Sequence, residues 1–579
     1  VFQDSDVAKW LEAVAYTLAE KPDKELKKLA DSVIELIGRA QEPDGYFNTY
    51  FILKEPGQRF RNLREGHELY TLGHMIEAAV AYKRATGEKR FLEIVQKMAD
   101  LVANTFGVEE GKRMGMPGHQ EIELALMKLY EETGKESYKE LAKYFIDVRG
   151  CGNRNYFLEE MKQKDVKRIF PELNDYRPEY SQSHLPVRKQ RTAEGHAVRA
   201  VYMYAAMADI AAEYDDEELL GACETLWNNM VHRRMYVTGG IGSSGILERF
   251  TADYDLPNDY NYCESCASIG LAFFARRMMQ ITKKAKYVEV MERALYNTVL
   301  AGIAMDGKSF FYVNPLEVWP PSCMERTSKE HVKSVRQKWF GVACCPANIS
   351  RTLASLGEYI YACEKDTIYV NLFIGNETQI TVGEQKVHLS LETDFPWKNQ
   401  FKINVSGVKE SVQLAVRIPE YAQDYKIFCE GREQFYKEKD GYAYITCEKN
   451  GRYEVQFVSE PRFVRANPKV RADEGKVCVM WGPLVYTVEE TDNGENLQAL
   501  YIDTAKPVKK SEKEEFPMLI AAGKRICESG WGEEELYGSH PLEFAETEIT
   551  LVPYAYWGNR ENGEMAVWLK EYLSDRNNK

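Results

Sequence analysis

The 579-residue sequence lacks the features that identify several large protein classes. No apolar run approaches the roughly 18–20 residues that span a bilayer, and twelve cysteines are far below the density of a disulfide-rich secreted scaffold. Acidic residues outnumber basic ones by 89 to 75, a net charge of −14 that disfavours binding to nucleic acid or an anionic membrane. No phosphate-binding loop, HExxH, GxSxG or protein-kinase signature is present. These absences predict a large soluble protein with a different chemistry.

The beginning of the chain, VFQDSDVAKW, has neither Met nor the basic and apolar stretches of a secretory signal. Together with the sparse cysteines this favours a reducing compartment, so we expect a cytoplasmic protein whose N-terminus has been trimmed. Hydrophobic residues make up 44% of the chain, which is enough for a large core and more than one domain.

Residues 1–363 show helical periodicity, with apolar residues three and four positions apart. The helical segments fall into pairs joined by short polar turns such as ATGEKR and ETGKES. Three segments begin with Gly-His, at His67, His119 and His196, and continue as Ala- and Leu-rich helices. Helix pairs repeated in this way predict a closed (α/α)6 barrel. The inner helices of such a barrel begin at one end, so we expect the three histidines to converge there.

After about residue 364 the sequence alternates polar and apolar residues between Gly, Asn and Asp turns, as in TQITVGEQKVHLSLETDF. This predicts a β-sandwich, jelly-roll-like domain over residues 364–465, with residues 560–579 as a candidate completing segment. A second β-sandwich-like domain is predicted over residues 466–559. The predicted fold class is therefore multidomain α and β, with a helical barrel followed by β-sandwich domains.

Two cysteine-containing segments each precede a candidate inner helix. NYCESCASIG contains Glu264 and Cys266, and WFGVACCPANISR contains Cys344 and Cys345. Three thiolates and one carboxylate suit a four-coordinate zinc ion, so these four residues are candidate metal ligands. Spacing alone leaves two alternatives open: Cys263 in place of Cys266, and ordinary buried thiols that pack as small hydrophobic groups.

Carboxylates and aromatic side chains are concentrated in polar loops. The segment SSGILERFTADYDLPNDYNYCESC carries Glu248 and three aspartates ahead of Glu264. Hydrolysis of a glycoside requires a carboxyl group as general acid, although most acidic loop residues are solvated surface. The aromatic residues of DGYFNTYF and SFFYVNPLEVWPP are candidates to flank a sugar ring, and core packing is the alternative.

Six segments taken together are more specific than any one of them: QEPDGYFNTYF, EGHELYTLGHMIEAAVAY, VTGGIGSS, YCESCASIG, FFYVNPLEV and WFGVACCPANISR. Their combination resembles the bacterial β-L-arabinofuranosidases of glycoside hydrolase family 127, and the similarity extends from SDVAKWLEA to GEMAVWLKE. The resemblance implies an (α/α)6 barrel followed by β-sandwich domains, and a bound Zn²⁺. It also implies a retaining glycosidase that releases non-reducing terminal β-L-arabinofuranose from plant oligosaccharides.

The resemblance assigns roles to individual residues. Cys344 matches a zinc-bound cysteine nucleophile, and Glu248 matches the general acid/base. Glu264, Cys266 and Cys345 match the other zinc ligands. The matches to sugar-contacting positions are His67, His119, His196 and Tyr312.

Several alternatives remain open from the sequence. His74 lies in the same segment as His67 and competes with it for a sugar-contacting role. A sugar epimerase would share the helical toroid and use histidine pairs as acid and base, but it needs no thiolates. A zinc-stapled carbohydrate-binding scaffold would bind sugar without turnover. Within the family, an acidic branched sugar of pectin is an alternative substrate. A large barrel with appended sandwich domains also favours a homodimer.

Overall fold

The computed structural model describes residues 1–511 and 518–573 of the chain. All but the last of the α-helices in these ranges precede residue 361. In chain order they are α1 (Asp4–Glu20), α2 (Lys24–Ala40), α3 (Thr49–Leu53), α4 (Glu68–Thr86), α5 (Arg90–Thr105), α6 (Ile122–Thr133), α7 (Glu136–Val148), α8 (Tyr156–Glu160), α9 (Ala197–Glu213), α10 (Glu217–Arg233), α11 (Ser265–Thr282), α12 (Ala285–Ala294), α13 (Cys344–Ala354), α14 (Gly357–Ile360) and α15 (Glu490–Asn493).

Six of these helices pack in a closed series. α1 contacts α4, α4 contacts α6, and α6 contacts α9. The series continues through α11 to α13, which returns to α1. Outside it, α2, α5, α7, α10 and α12 each pack on the inner helix that immediately precedes them in the chain. Five helix pairs therefore each contain one inner and one outer helix.

Inner and outer helices differ in composition because they bury different fractions of their surfaces. α9, AVRAVYMYAAMADIAAE, buries nearly every side chain, and its alanines let neighbouring helices approach closely. α2, KELKKLADSVIELIGRA, fully buries only Ala30 and Ile34 and presents a charged outer face. One apolar stripe is enough for an outer helix such as α2, whereas an inner helix such as α9 is buried on almost every side.

Apart from the first, the β-strands of the described ranges lie after residue 360 and form three sheets. They are β1 (Glu317–Val318), β2 (Tyr361–Glu364), β3 (Thr367–Val370), β4 (Asn376–Val382), β5 (Gln385–Thr393), β6 (Gln400–Ser406), β7 (Val412–Arg417), β8 (Gln423–Cys429), β9 (Arg432–Glu433), β10 (Lys437–Lys439), β11 (Tyr442–Cys447), β12 (Gly451–Val458), β13 (Arg462–Val464), β14 (Lys476–Trp481), β15 (Leu484–Glu489), β16 (Leu500–Asp503), β17 (Lys509–Lys510), β18 (Leu519–Ile526), β19 (Phe544–Pro553), β20 (Met565–Ala566) and β21 (Leu569–Tyr572).

The first two sheets share one core. The five-stranded sheet has the order β10-β11-β7-β3-β2, and the six-stranded sheet has the order β4-β5-β6-β12-β8-β9. Val387, Ile403, Leu414 and Val455 from the two sheets are fully buried in one cluster. Along β5 buried residues alternate with more exposed ones, as expected for a strand with one face on the core.

The last strands of the described chain belong to the third sheet, and not to the first sandwich as the sequence suggested. Its order is β1-β20-β15-β19-β18-β16-β21-β14-β13, with β17 paired to β18. Residues 560–579 were a candidate segment to complete the first sandwich, but β20 and β21 belong to this third sheet, as does β13. Residues 574–579 lie outside the described residues. The apolar run at the start of MAVWLKEY is compatible with a strand but does not identify its partner, because tertiary packing decides the pairing.

The third sheet's domain supports a loop of the helical region from outside. Trp557 stacks on Phe311 with ring centroids 4.6 Å apart, and Arg336 donates to the Trp557 carbonyl at 2.8 Å. Tyr554 donates a hydrogen bond of 2.7 Å to the carbonyl of Pro315. The segment 310–316, which contains Tyr312, is therefore held in place by the C-terminal β domain.

None of the helices in the described ranges combines the length and the apolar character that crossing a membrane requires. All twelve cysteines fall within those ranges, and none forms a disulfide. Their thiols are thus available for packing or for ligation.

Candidate active site

The N-terminal ends of the inner helices surround a cavity of about 630 Å³. His67, His196 and Glu264 are the N-cap residues of α4, α9 and α11, and Cys344 begins α13. His119 lies three residues before the start of α6. All five side chains line the cavity, so the Gly-His segments do converge at one end of the helical region.

Three cysteines and one glutamate from the N-terminal ends of two helices lie together at this cavity. Glu264 and Cys266 come from the beginning of α11, and Cys344 and Cys345 come from the first turn of α13. The Cys266 sulfur lies 3.6 Å from that of Cys344 and 3.7 Å from that of Cys345, and the latter two are 3.9 Å apart. Oε1 of Glu264 lies 3.3 Å from the Cys344 sulfur and 3.8 Å from the Cys345 sulfur. We call these four residues the Cys/Glu cluster.

The Cys/Glu cluster has the dimensions of a tetrahedral metal site. Zinc–sulfur bonds of about 2.3 Å place two sulfurs of a tetrahedron roughly 3.7 Å apart, and the three sulfur–sulfur distances lie around that value. Cys263, the alternative raised by spacing, is buried instead in a separate core with Tyr236 and Phe311. The structure therefore brings Cys266, and not Cys263, into a group able to hold a metal ion.

The pKa values of the four side chains in the Cys/Glu cluster show that ionisation of all four needs a bound cation. Hydrogen bonding to Cys266 raises the pKa of Cys344, and burial raises the pKa values of Glu264 and Cys345. Burial also opposes ionisation of Cys266, but hydrogen bonds from Cys344 and Cys345 outweigh it and lower its pKa to about 6. Without a cation the cluster therefore keeps most of its protons. A bound divalent cation reverses this preference, because it attracts the ionised form of every ligand.

Glu248 lies next to the Cys/Glu cluster, in a loop that is held against the beginning of α9. One of its carboxylate oxygens lies 2.5 Å from Nε2 of His196, and the other accepts a 2.8 Å hydrogen bond from Tyr262. A backbone bridge from Arg249 to His196 fixes the loop. Glu248 and the preceding Leu247 both have positive φ, at 54° and 59°, a strained conformation that surrounding contacts must maintain.

Hydrogen-bond donors favour the ionised form of Glu248. Burial opposes ionisation, but the His196 and Tyr262 contacts outweigh it and lower the pKa of Glu248 to about 2. Burial in turn lowers the pKa of His196. The carboxylate is favoured whichever charge His196 carries, because the imidazole N–H and the phenol O–H both donate to it. An oxygen of Glu248 also lies within 4.8 Å of one of Glu264, so the loop and the Cys/Glu cluster form one site.

His67, His119 and His196 form a row along one wall of the cavity. Neighbouring ring centroids are 5.7 and 5.5 Å apart. Nδ1 of His67 lies 2.6 Å from the Glu65 carbonyl, and Nδ1 of His119 lies 2.8 Å from the Gln120 carbonyl. Burial lowers the pKa of His67 to about 3 and also lowers that of His119. Both rings are therefore neutral, with Nδ1 as donor to a carbonyl and Nε2 left as an acceptor for a hydroxyl group.

His74, the competitor of His67, lies elsewhere. It is fully buried in α4, and its Nδ1 is 3.1 Å from Oε1 of Glu121. Its side chain is not among those that line the cavity. The structure places His67, and not His74, where a sugar could reach it.

Tyr312 is positioned directly on the first cysteine of α13. Its hydroxyl oxygen lies 3.0 Å from the sulfur of Cys344. The Ser265 N–H donates to the Tyr312 carbonyl, and Val313 bridges to Glu264, so the segment runs beside the start of α11. Tyr312 can therefore orient both the Cys344 thiol and a ligand that binds in the cavity beside that thiol.

The other loop aromatics that the sequence suggested do not line this cavity. Tyr46 is buried and donates to Glu68, Phe311 stacks on Trp557, and Trp319 is exposed to solvent. These residues are core or surface aromatics, so the predicted sugar-flanking role has structural support only for Tyr312. Asp253, from the acidic loop, is likewise engaged elsewhere, by Arg233 and Arg234.

The cavity residues that the sequence did not single out include Tyr70, Phe170, Tyr180 and Arg199. For two of them a signal existed. Tyr70 follows His67 by three residues and Arg199 follows His196 by three, a spacing that puts both members of each pair on one helix face. Phe170 and Tyr180 lie in a stretch of short turns without periodicity, where the sequence offers no such clue.

Family comparison accounts for almost the whole chain. The profile of the family 127 β-L-arabinofuranosidase catalytic domain matches residues 1–358, that of the middle domain residues 367–459, and that of the C-terminal domain residues 461–570. The chain belongs to glycoside hydrolase family 127. It is accordingly a glycosidase, rather than the epimerase or non-catalytic scaffold considered as alternatives.

Individual members of family 127 are similar along nearly their full length. The non-reducing end β-L-arabinofuranosidase of Bifidobacterium longum subsp. longum is 40% identical over 98% of this chain and 89% of its own. The crystal structure of a β-L-arabinofuranosidase from Geobacillus stearothermophilus T6 is 48% identical and superposes with a TM-score of 0.95, covering 99% of this chain and 91% of that one. A further family 127 β-arabinofuranosidase structure is 36% identical with a TM-score of 0.87, over 99% and 88% of the two chains. A helical catalytic domain followed by β-rich domains is thus common to this chain and its relatives.

Proposed function

We propose that this family 127 protein hydrolyses non-reducing terminal β-L-arabinofuranosides with retention of configuration, using Cys344 as nucleophile and Glu248 as acid/base. The observation that carries the proposal is the placement of the Cys344 sulfur at the cavity, 3.0 Å from the Tyr312 hydroxyl and 3.3 Å from Glu264. The proposed sugar is that of the similar proteins, which are β-L-arabinofuranosidases. Retention follows from a mechanism in which a side chain attacks the anomeric carbon first and water attacks it second.

Zn²⁺ is the proposed metal, held by Glu264, Cys266, Cys344 and Cys345. A set of three thiolates and one carboxylate in four-coordinate geometry is typical of zinc. When bound, zinc would keep the Cys344 thiol deprotonated at neutral pH. Cys345 is fully buried and Cys266 nearly so, whereas Cys344 retains some exposure at the cavity. This difference in burial favours Cys344 as the sulfur that reaches the sugar.

In the first half of the proposed reaction, the Cys344 sulfur bonds to the anomeric carbon as the glycosidic bond breaks. Glu248, in its protonated form, gives its proton to the leaving oxygen. His196, whose Nε2 lies 2.5 Å from the carboxyl, holds that group in position beside the cavity. A thioglycosyl intermediate on Cys344 results, with the aglycone released as an alcohol.

In the second half, Glu248 as carboxylate removes a proton from water. The water oxygen bonds to the anomeric carbon while the carbon–sulfur bond breaks and its electron pair returns to Cys344. The carboxylate form that this step needs is the form that His196 and Tyr262 favour in the ligand-free cavity. The strained loop at Leu247 and Glu248 keeps that carboxyl directed toward the site.

The histidine row is the proposed binding surface for the furanose hydroxyls. His67 and His119 present acceptor nitrogens, and His196 and Tyr312 connect the sugar to the two reacting groups.

We infer in addition that the closed helix series is an (α/α)6 barrel over residues 1–363. We also infer that the boundary between the two β domains lies just before Arg462 rather than between residues 465 and 466, an inference that the pairing of β13 with β14 supports. A plant oligosaccharide as source of the sugar, a cytoplasmic location and a homodimer remain predictions from the sequence.

A panel of aryl glycosides tests the proposed substrate. We expect hydrolysis of an aryl β-L-arabinofuranoside, with the β-anomer of the free sugar as the first product seen by NMR. Aryl glycosides of acidic pectin sugars test the alternative within the family. Turnover of an acidic sugar glycoside alone, or first release of the opposite anomer, would contradict the proposal.

A further inference from the structure

The two ends of the histidine row differ in chemistry. At one end, Nε2 of His196 lies 2.5 Å from the carboxyl of Glu248, the proposed acid/base. At the other end, Phe2 and Phe170 line the cavity beside His67. Their ring centroids lie 5.3 and 5.9 Å from that of His67. The reacting end of the row is therefore polar, whereas the far end is bounded by aromatic rings.

Phe2 and Phe170 form one continuous surface. Their rings are stacked, with centroids 6.4 Å apart and an angle of 27° between the ring planes. The Phe170 ring meets that of His67 edge to face, and the Phe2 ring is tilted against it by 54°. Both phenylalanines are half-buried and line the cavity, so each keeps a surface that a ligand can contact. We call this pair the aromatic end wall.

One buried glutamate fixes the aromatic end wall relative to the histidine row. The carbonyl oxygen of Glu65 lies 2.6 Å from Nδ1 of His67. Its carboxylate accepts hydrogen bonds from the backbone N–H groups of Ile169 and Phe170, at 2.5 and 3.1 Å. The Glu65 side chain has no exposed surface. The segment that carries Phe170 has no regular secondary structure, but these bonds hold it beside His67.

The proposed reaction sets the direction in which the sugar lies along the row. The anomeric carbon must lie between the Cys344 sulfur and the Glu248 carboxyl, because the first attacks that carbon and the second protonates its substituent. A furanose carries its exocyclic C5 on C4, across the ring oxygen from the anomeric carbon. With the anomeric carbon near Glu248, C5 therefore points toward His67 and the aromatic end wall.

We propose that the aromatic end wall closes the cavity beyond C5 and restricts the site to a terminal five-carbon sugar. The inference rests on the proposed function. A sugar with a further carbon on C5, or an arabinofuranose that carries another residue on its C5 oxygen, would meet the two rings. An additional hydroxyl group at this wall would also lose its hydration without gaining a hydrogen-bond partner from the rings. The wall thus selects the length of the sugar, while the histidines bind its hydroxyls.

Two aryl glycosides with the same leaving group test the wall on the zinc-loaded full chain. One is the β-L-arabinofuranoside, and the other is the α-D-galactofuranoside, which has the same ring configuration and one additional hydroxymethyl group on C5. We expect the wild type to prefer the arabinofuranoside by at least about 100-fold in kcat/KM, within the range by which a pocket discriminates between substrates that differ by one carbon. Phe170→Ala and Phe2→Ala should each narrow this preference about tenfold, because each opens the wall.

The ratio of the two kcat/KM values separates selectivity from damage to the fold. A variant that folds poorly loses activity on both glycosides alike and keeps the ratio. Phe170→Leu retains an apolar side chain and should keep most of the preference, and Phe2→Ala decides the question if Phe170→Ala folds poorly. The control is Phe435→Ala, at a fully exposed phenylalanine of the first β-sandwich, which should match the wild type on both glycosides.

Different outcomes bear on the wall and on the proposed function. Similar kcat/KM values of the wild type on the two glycosides, or an unchanged ratio in both alanine variants, would overturn the inference. Hydrolysis of neither glycoside by the wild type would instead overturn the proposed function.

Discussion

Two clusters of the described residues that share no member have the composition of a metal site, and only one of the two faces the cavity. The Cys/Glu cluster and the group His74, Glu77 and Glu121 each bring their ligand atoms within 4.8 Å of one another. All residues of the second group are buried, and in the first group only Cys344 is partly exposed. The spacing of the ligand atoms therefore does not distinguish them.

Charge compensation does distinguish them. Glu77 is bonded by Arg351 at 2.6 Å and also by Lys128, so its negative charge is already balanced by protein cations. In the described ranges no lysine or arginine forms an ion pair with Glu264, the carboxylate of the Cys/Glu cluster. A carboxylate already paired with two cations is a poor ligand, whereas an unpaired one beside three thiols attracts a metal ion. The comparison teaches that the partners of a ligand set decide its role as much as its members do.

The largest effect expected at the Cys/Glu cluster is the loss of its nucleophile. Cys344→Ser should lower kcat by at least about 10⁴-fold, since a serine hydroxyl is not ionised at neutral pH and removal of a nucleophile is among the costliest changes in an enzyme. Steady-state kinetics on an aryl β-L-arabinofuranoside provide the measurement. Cys223→Ser, at a buried cysteine in the outer helix α10, is the matched control and should retain activity. Comparable turnover by Cys344→Ser and the wild type would remove the nucleophile assignment.

Exchanging one carboxylate in each cluster tests the comparison itself. Glu264→Gln should reduce zinc content well below one per chain and activity with it, because the site loses an anionic ligand. Glu77→Gln should leave zinc content unchanged but lower the free energy of unfolding by about 3–5 kcal/mol, the usual cost of breaking a buried ion pair. Elemental analysis after dialysis and thermal unfolding measure the two outcomes. If Glu77→Gln loses zinc while Glu264→Gln keeps it, the two clusters have been assigned the wrong way round.

The acid role of Glu248 predicts an effect that depends on the leaving group. For Glu248→Gln, kcat/KM should fall about 10²–10³-fold on glycosides with poor leaving groups, within the usual range for general acid catalysis. The fall should be much smaller on an activated aryl glycoside, whose aglycone departs without a proton. The measurement is a plot of kcat/KM against the pKa of the leaving group. The same loss across the series would argue against proton donation by this residue.

The smallest predicted contrast is between the two histidines of α4's segment. His67→Ala should raise KM and weaken binding of free L-arabinose about tenfold, since one hydrogen bond to a sugar hydroxyl is lost, with little change in stability. His74→Ala should lower the melting temperature, because it removes a fully buried ring whose Nδ1 lies 3.1 Å from Oε1 of Glu121. Calorimetric binding and thermal unfolding distinguish the two. An unchanged affinity for sugar in His67→Ala would remove that residue from the binding surface.

The architecture could be predicted from local patterns where those patterns carry the necessary information. Helical periodicity and short polar turns predicted the helical domain, and alternation predicted the β-rich part that follows. The partners of the last strands could not be predicted, because β20 and β21 are only two and four residues long. They join the third sheet by pairing with strands that are distant in sequence, β20 with β1 and β15 and β21 with β14 and β16.

The site could be predicted to the extent that its residues share a position in the fold. Glu264, Cys344 and the Gly-His histidines each precede or begin an inner helix, so one geometric argument brings them together. The loop that carries Glu248 has no such position, and the resemblance to a family was needed to select it from its acidic neighbours. Phe170 and Tyr180 could not have been found, because they lie in a stretch of short turns without helical or strand periodicity.

The central claim, that Cys344 bonds covalently to the sugar, is tested most directly by peptide mapping during turnover. The zinc-loaded protein is quenched with acid at steady state on an activated aryl β-L-arabinofuranoside, digested and analysed by mass spectrometry. The account predicts an added pentosyl group on the peptide that contains Cys344, located on that sulfur by fragmentation and absent when substrate is omitted. A pentosyl group on Glu248 or Glu264 instead, or inversion of the anomeric configuration with no adduct, would contradict it.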